Sequence, residues 1–256
     1  MPVPLLVAAA VLAAADPGPR PAAPSINPGG IVNAATNRAA PENFVAPGAI
    51  ISIYGTGLAL VTREVRADDI ALGFLPETLA GVSVFFGPMT AHLFYVSPLQ
   101  INAQVPTGLQ PGEWEVRVRV ERLEARERVQ VRPLSPGLFS VARHADGRLV
   151  SRADPARPGE FILFFGTGFG PTRPPVLSGA VAPQAPVWLA TQVEAQIGGS
   201  DLRAEDIYYW GLAPGFAGLN QFNLRIPLDA ASGDAEVRVG VAGEWSQPGM
   251  RIPVQR

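Results

Sequence analysis

One segment occurs twice in this chain and limits what the chain can fold into. Residues 46–58 read APGAIISIYGTGL, and residues 157–169 read RPGEFILFFGTGF. In each copy a Pro-Gly turn precedes an apolar run rich in β-branched and aromatic residues, and Gly-Thr-Gly ends the run. This pattern predicts a buried strand held between two turns. We therefore expect two copies of one structural unit.

The repeat extends beyond this segment at two fixed spacings. Pro47 and Pro158 lie 111 residues apart, and so do the apolar segments 82–87 and 193–198. Gln100 and Gln221 lie 121 residues apart. Copy two therefore contains ten extra residues between 198 and 221. A repeat of this length is too long for a solenoid and predicts two tandem domains.

Composition and alternation predict the class of those domains. The 256 residues include 27 Gly and 27 Pro, which is denser than helical proteins allow. Residues 113–120 alternate strictly, with Trp114, Val116, Val118 and Val120 on one face and charged residues on the other. One dry face and one wet face suit strands of a two-layer β-sandwich. We predict an all-β chain with domains at 25–140 and 141–256.

The first residues resemble an export signal. Residues 1–15 contain an uncharged apolar run that ends in three alanines, as expected before a cleavage site. The run is too short to span a bilayer, which takes about 20 apolar residues. A buried strand or a disordered tail is the alternative interpretation. Residues 16–24, rich in Pro, predict a flexible spacer. We expect a secreted or cell-surface protein with no membrane span after cleavage.

Short sequence motifs occur in a fixed order along the rest of the chain. They are GIVNAA (30–35), VAPG (45–48), FYVSP (94–98), QINAQVP (100–106), PGLF (136–139), GTGFG (166–170), GLAPG (211–215) and QFN (221–223). Over about residues 25–254, this ordered set resembles the uncharacterised Solibacter-type C-terminal domain of secreted acidobacterial proteins. Each half also resembles the IPT or TIG domain. The resemblance implies two tandem immunoglobulin-like β-sandwiches and no established activity.

Charge and residue types argue against several function classes. The net charge is −2, with 20 basic and 22 acidic residues spread along the chain, so no basic footprint for nucleic acid is present. Two histidines and no cysteine offer no usual metal site. Pro171 follows the Gly-Thr-Gly-Phe-Gly segment where a phosphate-binding loop needs a helix. We therefore expect no catalytic residues, no metal and no cofactor.

Amide side chains recur at matching positions of the two copies. They alternate with apolar residues and comprise Gln100, Asn102, Gln104, Gln221 and Asn223. Buried amides need hydrogen-bond partners, so we favour a structural role in which they brace neighbouring loop backbones. The alternative is that the two rows bind a ligand.

Aromatic residues found only in copy two are the better binding candidates. Tyr208 and Trp210 fall in the segment with ten extra residues, and alternation would place both on one strand face. A core role for at least one of these rings is the competing interpretation. We predict a non-catalytic binding, adhesion or structural module that contacts an unidentified protein at the cell envelope. The alternative is a carbohydrate-binding module that uses Tyr208, Trp210 and Trp188.

Overall fold

A computed structural model describes residues 23–38, 40 and 42–256. The expected signal at 1–15 and most of the expected spacer at 16–24 lie outside the described residues. Strands dominate the described part, which also has two short 3-10 turns at Ala67–Asp69 and Ala204–Asp206.

Nine strands build the first half of the chain. They are β1 Ser25–Asn33, β2 Ile50–Thr56, β3 Arg63–Glu64, β4 Val82–Phe86, β5 Met89–Thr90, β6 His92–Val96, β7 Gln100–Gln104, β8 Gly112–Val120 and β9 Leu123–Val131. They form two antiparallel sheets, in the orders β1-β2-β7-β6-β3 and β5-β4-β8-β9. Inward-facing residues such as Ile53, Val84 and Val118 are fully buried between the sheets. The first half is therefore a β-sandwich with its own core.

Eleven strands build the second half in the same way. They are β10 Gly137–His144, β11 Phe161–Thr167, β12 Thr172–Arg173, β13 Trp188–Leu189, β14 Val193–Ile197, β15 Ser200–Asp201, β16 Ile207–Leu212, β17 Asn220–Arg225, β18 Gly233–Val241, β19 Glu244–Trp245 and β20 Arg251–Val254. One sheet has the order β10-β11-β17-β16-β13-β12, and the other has the order β15-β14-β18-β19 with β20 also on β18. A second core lies between them.

Strand order shows which sandwich this is. With the short strands β3, β12, β13 and β19 left out and the others lettered in chain order, each half pairs as A-B-E-D in one sheet and as C′-C-F-G in the other. This is the arrangement of immunoglobulin domains. The chain thus consists of two tandem immunoglobulin-like β-sandwiches, which confirms the fold class predicted from the sequence.

The boundary between the sandwiches differs from the one expected at 140/141. Strand β10 begins at Gly137 and pairs with β11, just as β1 pairs with β2. Residues 137–140 therefore belong to the second sandwich, and the crossing lies at 132–136. A turn at Asp146-Gly147 forms the corner between β10 and β11, where the N–H of Gly147 donates to the carbonyl of His144.

The ten extra residues of copy two are split between two places. Tyr95 pairs with Asn102 in the first sandwich, and Tyr209 pairs with Asn223 in the second, so β16 is the counterpart of β6 at a spacing of 114. Three extra residues therefore precede β16, at the 3-10 turn, and seven follow Trp210, in segment 211–220. The prediction that Tyr208 and Trp210 are part of an insertion is wrong, because Phe94 and Val96 occupy their positions in the first sandwich.

Segment 211–220 serves contact between the sandwiches. Buried Thr167 accepts a hydrogen bond from the N–H of Ile50 at 2.8 Å and donates one to the carbonyl of Gly218 at 2.9 Å. Gly218 has φ +63°, and a Cβ built there would lie 2.8 Å from the carbonyl oxygen of Gly48. Thr56, the repeat counterpart of Thr167, is exposed. The second Gly-Thr-Gly thus joins the sandwiches, whereas the first is a surface turn.

Candidate functional site

The candidate site is the outer surface of the sheet that contains β10, β11, β17, β16, β13 and β12. In this sheet Phe222 and Phe164 pair and face the core, so their neighbours in sequence face outward. Gln221 and Asn223 therefore lie on the outer face, and both are half-buried. The register aligns Gln221 with Gly211, which in turn pairs with Trp188.

Two groups of aromatic rings lie beside these amides. Tyr208 is 71% exposed, and its ring centroid lies 5.7 Å from that of Phe161 on β11. Trp188 is 37% exposed, and its ring contacts those of Tyr209 and Trp210, each at 4.9 Å between centroids. We call the surface formed by the following residues the aromatic–amide face. It comprises Phe161, Trp188, Tyr208, Tyr209, Gln221 and Asn223.

The prediction that Tyr208 and Trp210 share a face is wrong. A β-bulge lies between Ile207 and Tyr209, so Tyr209 pairs with Asn223 on the outer face and Trp210 pairs with Phe222 on the core face. A bulge adds one residue and breaks simple alternation. Trp210 packs against the second core, and its ring also contacts that of Trp188 in an edge-on arrangement. Trp210 is therefore a supporting residue of the site.

Tyr209 anchors this edge of the sheet. Its ring is almost buried, and its hydroxyl donates to the carbonyl of Leu212 at 2.7 Å. Burial raises the pKa of Tyr209, so the hydroxyl stays protonated and remains a donor at neutral pH. Gly211 permits the close approach of the next strand, because a Cβ there would lie 2.2 Å from the carbonyl oxygen of Val187. These contacts hold Trp188 in place.

The amides at the centre of the face bond to each other. Gln221 Nε2 donates to Asn223 Oδ1 at 2.9 Å, and Gln100 Nε2 donates to Asn102 Oδ1 at 2.8 Å in the first sandwich. Among the described residues, the side-chain oxygen of Gln221 and the side-chain amino group of Asn223 form no hydrogen bond. Each pair thus offers a donor and an acceptor to an incoming ligand.

Gln104 behaves differently from the other four amides. It is buried, its Oε1 accepts from the N–H of Gly179 at 2.6 Å, and its Nε2 donates to the carbonyl of Gly48 at 3.2 Å. Gln104 therefore braces loop backbones, one of them from the other sandwich. The remaining amides of the set make no such contact with a loop in the part of the chain that the structure describes.

Two ion pairs that share Asp206 border the aromatic–amide face. Arg225 Nη2 lies 2.5 Å from Asp206 Oδ1, and Arg203 Nε lies 3.2 Å from Asp206 Oδ2. Burial raises the pKa of Asp206, but the hydrogen bonds from Arg225 and Arg203 outweigh burial and hold this pKa below its usual value. Asp206 is therefore ionised at neutral pH. Its charge is matched within the fold, and it does not act as a free carboxylate.

His144 is also engaged in the fold. His144 Nδ1 lies 2.5 Å from Glu160 Oε1, and its Nε2 lies 3.2 Å from the carbonyl oxygen of Asp154. Within residues 23–38, 40 and 42–256, no group of three His, Cys, Asp or Glu side chains is placed to hold a metal ion. Over the same residues, no helix is both long and apolar enough to cross a bilayer.

Sequence reasoning missed part of this site. Phe161 belongs to an unbroken apolar run, which hides the fact that every second residue faces outward. Arg225 and Asp206 are far apart in sequence, and only the pairing of β16 with β17 brings them together. The alternation of Arg225 with Leu224 and Ile226 marks Arg225 as outward-facing, but it does not reveal Asp206 as its partner.

Comparison with known proteins adds little beyond the fold. No family model and no curated protein matches the sequence. SGBP-B of the Bacteroides ovatus mixed-linkage glucan utilization locus, solved with a mixed-linkage heptasaccharide, is 14% identical with a TM-score of 0.35. The match covers 85% of this chain and 43% of that protein, so this chain spans less than half of its length.

Two further structures are similar at the same low level. The N-terminal Ig1-2 module of the Drosophila receptor protein tyrosine phosphatase DLAR is 13% identical with a TM-score of 0.21, covering 83% of this chain and 94% of that one. Domains 5-6 of the S-layer protein SbsC are 9% identical with a TM-score of 0.27, covering 90% and 98%. Values this low carry no argument about what this chain binds.

Proposed function

We propose that this protein is a non-catalytic binding module that acts outside the cytoplasm and contacts its partner through the aromatic–amide face. The observation that carries the proposal is the placement of exposed Tyr208 and half-exposed Trp188 beside the amide pair Gln221 and Asn223. Exposed rings supply apolar contact area, and the amides supply orientation through hydrogen bonds. The ordered sequence motifs further support a place in the Solibacter-type family of secreted proteins.

Among possible partners, we favour a neutral glycan of the cell envelope. Sugar rings stack on aromatic side chains, and their hydroxyls pair with amide donors and acceptors. Both elements occur on this face, and the bordering charge of Asp206 is matched by Arg225. A protein partner is the other candidate, since Tyr, Trp and Arg are enriched at protein interfaces.

Alanine variants test the face directly. We expect Tyr208→Ala and Trp188→Ala to weaken binding to isolated cell-envelope material by about 2 kcal/mol or more, roughly thirtyfold. Phe216→Ala is the matched control, because Phe216 is a similarly exposed ring outside the face. Thermal unfolding of each variant checks the fold. Normal binding by both folded variants would place the contact surface elsewhere.

Treatment of the envelope material separates the two partner classes. Periodate oxidation destroys vicinal diols of sugars, whereas protease digestion removes proteins. Loss of binding only after periodate supports a glycan. Loss only after protease overturns the glycan and leaves the binding module with a protein partner.

A further inference from the structure

A cavity between the two sandwiches is separate from the aromatic–amide face. It has a volume of about 310 Å³ and is lined by residues of both sandwiches, including Gly48, Gln104, Gly168, Leu212 and Asn220. Its mouth carries the exposed side chains of Thr107, Pro171 and Leu177. Small-molecule sites typically start near 300 Å³ and often lie between domains. The cavity is thus large enough for a small ligand.

Asn220 is the residue that points to a ligand. It is only 4% exposed and lines the cavity. Among the described residues its side-chain amide forms no hydrogen bond, unlike Gln104, whose oxygen and nitrogen are both engaged. The amide atoms are not sealed from solvent, so their free donors and acceptor open into the cavity and can bond a ligand there. Its counterpart in the first sandwich is Leu99, so the fold of this unit does not itself require an amide here.

The lining defines the chemistry that fits. No charged residue lines the cavity, so an ionic ligand would be buried without a counter-charge. Aliphatic side chains and prolines dominate, including Pro47, Pro133, Pro175 and Val176, and no aromatic ring is present to stack on a sugar. The Asn220 amide offers one acceptor and two donors, which complement the N–H and C=O of a peptide unit.

We infer that this cavity binds a short neutral peptide segment with a branched aliphatic side chain, and that Asn220 recognises its peptide group. The side chain enters among the prolines and Leu212, while the peptide unit pairs with the Asn220 amide. Because residues of both sandwiches line the cavity, such a ligand also strengthens contact between them.

The test is an NMR titration of the full chain with N-acetyl-L-leucine N-methylamide. We expect saturable shifts of the Asn220 side-chain amide and of the backbone amides of Gly168 and Gly218. Asn220→Leu should weaken binding at least tenfold without lowering the melting temperature, since it replaces an unpaired amide. Gln196→Leu on β14, which lies outside both the cavity and the aromatic–amide face, is the matched control and should leave the affinity unchanged.

Three results would overturn the inference. The first is the absence of shifts at the highest probe concentration, which would mean that the cavity holds only water. The second is unchanged affinity in the Asn220→Leu variant. The third is a clear fall in the melting temperature of Asn220→Leu, which would show that the Asn220 amide stabilises the fold. None of these results depends on binding through Tyr208 or Trp188, so failure here is distinct from failure of the proposed function.

Discussion

Replacement of Thr167 by valine should show that the second Gly-Thr-Gly segment stabilises the contact between the sandwiches and that the first does not. Thr167 is fully buried, and its hydroxyl joins the N–H of Ile50 to the carbonyl of Gly218. Valine keeps the shape but leaves one donor and one acceptor without partners. Each buried orphan costs about 1–3 kcal/mol. We expect Thr167→Val to lower the free energy of unfolding by about 2–6 kcal/mol.

The assay is thermal and urea unfolding beside the matched variant Thr56→Val. Thr56 occupies the repeat position but is exposed and forms no side-chain hydrogen bond with the described residues. For a chain of this size, 1 kcal/mol corresponds to about 2–4 °C, so Thr167→Val should melt roughly 4–24 °C lower. Thr56→Val should melt within a degree or two of the natural protein. Equal melting of the two variants would refute the idea that Thr167 joins the sandwiches.

Three further predictions concern the core, a buried histidine and export. Val118→Asp should cost several kcal/mol of a total near 5–15, because Val118 is fully buried, whereas Arg119→Ser on the exposed side should change unfolding little. Burial lowers the pKa of His144, but Glu160 and Asp154 outweigh it and raise this pKa above 6.5. The stability that protonated His144 adds to the fold is therefore complete below pH 6.5 and is lost as pH rises through the folded pKa. Urea unfolding should show that His144→Gln loses more stability at pH 6 than at pH 8. Mass spectrometry of protein from native cells should find a start near Asp16, and an intact Met1 start in the cytoplasm would contradict export.

The sequence predicts the sandwich well because its signals are local. Alternation along β8 and the repeated Pro-Gly turns each depend on a few neighbouring residues, and the structure agrees with both. The boundary at 140/141 was misplaced because β10 lacks strict alternation, since a register irregularity lies between Leu138 and Ala142. Pairing with β11 decides where β10 belongs, and that pairing is long-range.

The candidate site could be predicted only in part. Tyr208, Trp188, Gln221 and Asn223 were identified one by one, but their common face follows from the register between strands. The bulge in β16 also moved Trp210 to the core side, and alternation alone cannot reveal an extra residue. The sequence also conceals the role of Thr167, because the two identical Gly-Thr-Gly segments have different surroundings when one of them contacts the other sandwich.

The most direct measurement is the NMR response of side-chain amides when the protein binds solubilised envelope glycan. Gln221 and Asn223 lie at the centre of the aromatic–amide face with a free donor and acceptor, whereas both ends of the Gln104 amide are engaged in the fold. We expect the amide resonances of Gln221 and Asn223, and the indole resonance of Trp188, to shift on binding while those of Gln104 stay unchanged. Binding that shifts none of the residues on this face would contradict the proposed contact surface.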